Sequence, residues 1–373
     1  MFTMRWLTTL VFSIGLAASS LACYNDVDTN LIELRDNLDI TNAVAGRYTV
    51  FPPEYYKRRI EIQSAILKND PNNLDAYDNI SVAYDRIGDG NSALKWIREK
   101  RKHLENAPKN QLYSTEANEG TFLIVRWIRS HKPGDVTDAI ESEKHIAKAL
   151  QINPDAHFGR EFAQLYCIRA MIQSGKDKDW QAEFIPNLIS IADKDHIDHK
   201  KLRFGIAGMM VLGAAWKLPI FIQTIASLLP DDYQMAALCQ ARLHDIDPNL
   251  APLVRADVPK RDGGHSNDVI SNNDLRVIEH LIQNAKDYQA NNDKWVLINV
   301  ANGQHPDTQS KFWEGFQEVP PVPKGDFNIP PKNQRSMGDS TAKIVNGTLI
   351  FFGLFGVFAA YLIVEAIIKG RKV

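Results

Sequence analysis

Asp193, Asp195, His196, Asp198 and His199 lie within a single stretch, DKDHIDHK, the one place in the chain where several metal-ligating side chains crowd together. On a helix His196 and His199 would share a face, with Asp195 and Asp198 beside them, a nitrogen and oxygen set that could hold a divalent cation. The same residues equally suit a solvated loop or a helix end, and no distant further ligand completes the set. His265 after Gly263 and Gly264, and His305 before Pro306, fall in predicted loops, where active-site residues are often carried. The chain has no HExxH, no P-loop, no dinucleotide glycine fingerprint and no GxSxG. These absences favour a binding protein over an enzyme and imply no cofactor. The alternative is an envelope hydrolase or a metal-dependent binding protein with its site near Asp193–His199 or Gly263–His265.

The elements that must position such residues are helices. Tyr77, Ile80, Ala83, Tyr84 and Ile87 recur at three- and four-residue steps, while Asp75, Asp78, Asp85 and Arg86 fall on the other side. Gly88-Asp89-Gly90-Asn91 supplies a turn, and Ala93, Leu94, Trp96 and Ile97 carry a second periodic run, so the two helices lie antiparallel. Ahead of them Pro52-Pro53 starts a helix that Asp70-Pro71 stops. Its apolar residues occupy two neighbouring faces, through Tyr55, Ile62 and Ile66 and through Tyr56, Ile60 and Leu67, which implies a helix sandwiched between others.

The pattern continues with predicted helices over 112–131, 136–153, 158–173, 180–192, 204–216, 220–229, 232–245, 274–291 and 293–301. The run 204–216 is the most apolar of these, and 258–273 is a polar break. Asn153-Pro154-Asp155 repeats the stop near Pro71, which is evidence of an internal repeat. Residues 25–46, with Leu31, Leu34, Leu38 and Ile40, are suited to cap the first end of a helical stack. No strand is expected.

Tyr77, Ile80, Ser81 and Tyr84, the turn at Gly88, then Ala93 and Ile97, with Asp70-Pro71-Asn72 closing the preceding helix, resemble a tetratricopeptide repeat. Units of that family have about 34 residues and two helices packed through small and large apolar side chains. Lys100 stands where the pattern has a small residue. The resemblance implies an all-α, helical-hairpin solenoid whose first helices line a concave groove, with Asp75, Asp78, Val82, Asp85 and Arg86 facing it. Asn79 fits the pattern of the repeats that clamp a carboxylate terminus, but Asp78 stands where those repeats need a lysine. The carboxylates therefore imply a groove that favours a basic or polar segment of an envelope protein.

Composition and the two ends set the compartment. With 373 residues, 44% of them hydrophobic, and a net charge of -2, the chain can build a large core and is not a general nucleic-acid binder. Residues 1–22 read as a secretory signal peptide, with Arg5, an apolar run and small residues ahead of Cys23, although a retained anchor is the other reading. Cys23 also resembles the acylated cysteine of bacterial lipoproteins, from which Ser20 departs. Residues 345–368 contain an uncharged run long enough to cross a hydrocarbon core of about 30 Å, and the basic tail 369–373 places the C-terminus in the cytoplasm. The proline-rich 319–343 reads as a stalk. The helical domain, 23–318, is thus expected outside the cytoplasm, in the periplasm, on a single-pass cell-membrane anchor that also offers a route to self-association. Cys167 and Cys239 are expected as buried apolar residues, with a bridge open to them in an oxidising compartment. The function this implies is a membrane-anchored scaffold for protein–protein interaction.

Overall fold

Short polar side chains and prolines fix where the helices begin. A computed structural model of the chain describes residues 24–30, 38–154, 160–177, 179–213, 215–229, 232–250 and 272–323, all within one compact unit that ends at Phe327. Helix α1, Ile40–Ala45, starts where the Asp39 carboxylate accepts the amides of Thr41 and Asn42, and it ends at Gly46, whose φ of 96° suits a residue without a Cβ. Helix α2, Pro53–Asn69, opens on a proline whose missing N–H costs nothing in the first turn. Asn73 caps α3, Leu74–Arg86, and Asp89 caps α4, Gly90–Arg101. There follow α5, Lys109–Arg129; α6, Thr137–Ile152; α7, Arg160–Ser174; and α8, Trp180–Lys194. Asp198 caps α9, His199–Leu212; α10 is Pro219–Leu228, Asp232 caps α11, Tyr233–Ile246, and α12 is Asn272–Ala301. Among the described residues there is no strand, only an isolated bridge between Lys132 and Asp135.

Successive helices pack on one another from α2 to α8, and alternate helices also meet, α3 with α5 and α7 with α9. The hairpins α3/α4, α5/α6 and α7/α8 therefore follow one another as a stack. Within the α5/α6 hairpin the Ser142 hydroxyl donates to the Gly120 carbonyl at 2.5 Å. The largest core runs from Ile124 and Trp127 of α5 through Phe184, Ile206, Phe221 and Leu238 to Ile278 and Leu281 of α12.

Helix α1 does not cap the first end of the stack. Its buried Ala43, Val44 and Ala45 are small enough to seat it on α9, α11 and α12, inside the main core. The predicted pair over 274–301 is one continuous helix. Asparagine costs a helix interior only about 0.7 kcal/mol, and Tyr288 and Val296, buried on either side of Asn291 and Asn292, hold the helix straight through. This α12 packs on α11 at one end of the chain and on α1 and α2 at the other. Arg47 reaches Asn284 at 2.9 Å, Thr49 meets Tyr288 at 2.8 Å, and Val296 joins Phe51, Tyr55 and Tyr56 in an aromatic cluster. The stack is thereby closed by a strut between its early and late helices. No helix among the described residues is long and apolar enough to cross a membrane, and the predicted span 345–368 lies outside them.

Candidate functional site

The polar face of α3 is buried. Asp78, Asn79, Val82 and Asp85 are all shielded from solvent and Arg86 is half-buried, whereas Asp75 is exposed and accepts a hydrogen bond from Gln111 at 2.6 Å. What covers this face is the chain's own segment Tyr24–Asn30, which lies across the first helices of consecutive hairpins. Residues 24 and 25 have no regular structure and 27–30 form a helical turn. Asp26 caps that turn: its carboxylate accepts the Thr29 amide at 3.0 Å while the Thr29 hydroxyl accepts the Asp26 amide at 3.0 Å, a reciprocal capping box.

Side-chain amides of the helices hold the segment by its backbone. Asn118 of α5 accepts the Asn25 N–H at 2.8 Å and donates to the Asn25 carbonyl at 3.0 Å, pairing with that residue as a neighbouring strand would. Asn79 of α3 accepts the Val27 N–H at 3.1 Å, and Arg160 of α7 donates to the Tyr24 carbonyl at 3.4 Å. Side chains add a second set of contacts. Tyr24 is fully buried, its hydroxyl donates to Asp85, and the Arg86 guanidinium lies 4.2 Å from its ring centre. Asp26 and Asp28 reach Arg59 of α2 at 3.4 and 2.5 Å.

The carboxylates of α3 do not leave this face acidic. Asp78 is met by Lys100 at 2.5 Å, by the Ser114 hydroxyl at 2.9 Å and by Asn118 at 3.0 Å, and Arg129 binds Asp85 at 2.8 Å. Burial pushes Asp78 above its ordinary carboxylate value, against the pull of Lys100. Burial also raises Asp26, helped by the nearby Asp28 and opposed by Arg59. Arg59 itself is wholly buried, and the attraction of Asp28, together with Tyr55 and Asp307, outweighs burial to keep it charged. Asp307 closes the set at 2.7 Å, held well below the usual range, despite burial, by its contact with His305 and by Arg59. The predicted preference for a basic segment rested on three uncompensated carboxylates. In the fold two of them are paired with Lys100 and Arg129, and the cations Arg59 and Arg86 face the segment.

The stretch Asp193–His199 is the turn between α8 and α9. Asp195 ends α8, His196 has a φ of 55°, and Asp198 caps α9, so the two histidines are not on one helix. His199 pairs with Asp193 at 2.9 Å and Asp195 accepts from the Tyr166 hydroxyl at 3.0 Å. Among the described residues no group of three or more side chains is placed to hold a metal ion. His305 is fully buried with its ring 4.4 Å from that of Tyr55. Gly263–His265 and Cys23 lie outside the described residues, as do the predicted signal peptide 1–22 and the tail 369–373. At the start of the predicted stalk, Val319 and Pro320 accept hydrogen bonds from Arg47 and Asn284, and Val322 packs on the main core. The stalk from residue 324 on is outside the described residues.

Sequence reasoning missed Arg59, Asn118, Arg160 and the segment itself. Arg59 stands in the basic run Tyr55-Tyr56-Lys57-Arg58-Arg59, a composition that suits a solvated edge, yet it has no exposed surface. Asn118 and Glu119 sit in the run ANEGTFLIV, where polar side chains interrupt an otherwise apolar surface, a signal of a buried polar contact. No family model, curated protein or solved structure matches this chain.

Proposed function

We propose that the chain is a membrane-anchored scaffold of tetratricopeptide-like hairpins that binds a short, largely extended segment of another envelope protein across α3, α5 and α7. The observation that carries this reading is the pair Asn79 and Asn118, whose carboxamides take up backbone N–H and C=O groups of a segment lying against them. Side-chain amides that satisfy a foreign main chain are a device for holding peptides, with neighbouring side-chain sites to select among them. The stacked hairpins supply a rigid frame for such contacts. The role proposed is binding without catalysis. The protein works outside the cytoplasm, held to the cell membrane by residues 345–368, where envelope proteins can reach it.

The test is capture with the full chain in detergent from solubilised envelope, comparing wild type with Asn79→Ala/Asn118→Ala. The expected result is a specific partner retained by wild type and by the surface control Glu141→Ala and lost from the double variant. A partner held equally by all three would overturn the reading. Reversal of Asp78 is not used, because it would place two cations together in the interior beside Lys100.

A further inference from the structure

We infer that the ligand of this face is an acidic segment led by a tyrosine, and that the chain's own Tyr24–Thr29 occupies its place in cis until such a ligand displaces it. This rests on the binding role proposed above and specifies its chemistry. The groups that meet the segment are buried and polar: Arg59, Asp85 and Asn118 have no exposed surface. A buried donor or charge left without its partner is strongly unfavourable, so a replacement ligand must restore the same contacts. Read in order, those contacts ask for an aromatic ring under Arg86 with a hydroxyl toward Asp85, then a peptide unit free to pair with Asn118. They then ask for carboxylates at the second and fourth positions after the aromatic residue, to meet Arg59. Residues that lack this pattern leave Arg59 with Asp307 as its one carboxylate partner, beside the Tyr55 hydroxyl. Selection therefore comes from what an incorrect segment fails to satisfy.

The segment is also joined to the rest of the fold as a ligand would be. Tyr24 anchors it in a hydrophobic cluster, and Asn25, Val27, Asp26 and Asp28 meet the helices through hydrogen bonds and ion pairs. It belongs to the same chain as the face it covers, which gives it an effective concentration of roughly millimolar. A free ligand must compete with that concentration, so the cis segment sets a threshold that only a well-matched or multivalent partner exceeds.

The probe is a fluorescein-labelled peptide with the sequence of residues 24–30, Tyr-Asn-Asp-Val-Asp-Thr-Asn, added to the full chain in detergent. Anisotropy is compared between wild type and Asp26→Ala/Asp28→Ala, whose own segment is weakened while Arg59 keeps Asp307. The expected result is binding to the variant that is tighter than to wild type by about tenfold or more, and that is lost when both aspartates of the peptide are replaced by asparagine. In parallel, hydrogen exchange on wild type with millimolar peptide should show the amides of Val27 and Thr29 losing protection while those of α3 and α5 keep it. A variant that keeps its helical circular dichroism yet binds no peptide, with wild-type protection at Val27 unchanged, would show the segment to be a fixed part of the fold. Equal binding of the asparagine peptide would overturn the acidic class. Either result could coexist with an envelope partner lost on Asn79→Ala/Asn118→Ala, so this inference can fail while the binding role stands.

Discussion

Lys100 Nζ lies 2.5 Å from Asp78 Oδ2, and both side chains are removed from solvent. The lysine stands at the position where the hairpin pattern has a small residue, and its charge is answered by an aspartate on the facing helix. Replacing one partner alone strands the other. Lys100→Ala is expected to lower stability by about 3–5 kcal/mol, read from urea unfolding of the full chain. Lys100→Met combined with Asp78→Leu should recover part of that loss, because no charge is then left buried. A loss below about 1 kcal/mol for Lys100→Ala, the range of an exposed pair, would mean that Asp78 is adequately served by Ser114 and Asn118.

Gly120 allows α5 and α6 to approach. A Cβ there would sit 2.9 Å from Ile146 Cδ1 and 3.0 Å from His145 Cβ, tighter than packed side chains tolerate. Gly120→Ala is expected to destabilise by about 1–3 kcal/mol, although alanine is the better helix former. Combining it with Ile146→Val should restore part of the loss. A stabilising Gly120→Ala would show that the hairpin can open at no cost.

Glu116 gathers Arg101, His145 and Lys148 at 2.6 to 2.8 Å. Burial works to raise its carboxyl, but these donors prevail and hold it far below its ordinary value of 4.5. The folded protein thus binds this proton less readily than the unfolded chain does. The stabilisation is complete above pH 4.5 and is lost progressively as the pH falls through the lower, folded value. The buried Asp26 and Asp78, raised in the fold, act in the opposite sense. The expected acid limb of the urea midpoint is therefore steeper in wild type than in Glu116→Gln, and identical limbs would assign acid sensitivity to other groups.

The helices were legible where punctuation announces them: Pro53 and Asp232 stand where periodic runs begin, whereas α9 starts at His199, capped by Asp198, ahead of the predicted 204. The hairpin at Gly88 was legible for the same reason. The polar side of α3 was not. Asp75, Asp78 and Asp85 follow the spacing of a face turned to water or to an outside partner. Residues 40 or more positions away decide otherwise for Asp85, which Tyr24 and Arg129 meet. Pattern along one helix cannot report what another part of the chain lays over it. The return of α12 was hidden likewise, since its cohesion with α2 depends on aromatic residues at 51, 55 and 56, far away in sequence.

Cys167 and Cys239 are free, fully buried members of the main core. Burial alone raises the Cys167 thiol well above its ordinary value and pushes Cys239 up to about 12. A thiol reagent at pH 8 should leave both unmodified in the native protein and label both in denaturant, with peptide mass spectrometry separating them from Cys23. Rapid labelling of either in native buffer would show that the core opens locally.

Arg59 and Asp307 are 248 positions apart in the chain. During synthesis the guanidinium is made long before this carboxylate exists, and the aromatic patch at Phe51 and Tyr55 waits equally long for Val296 and Phe312. A polypeptide that stops early keeps a cation short of its counter-charge and an uncovered greasy surface, the features that expose immature chains to aggregation and proteolysis. The bond between the two residues thus reports how far synthesis has gone: only a chain that extends past residue 307 can close it.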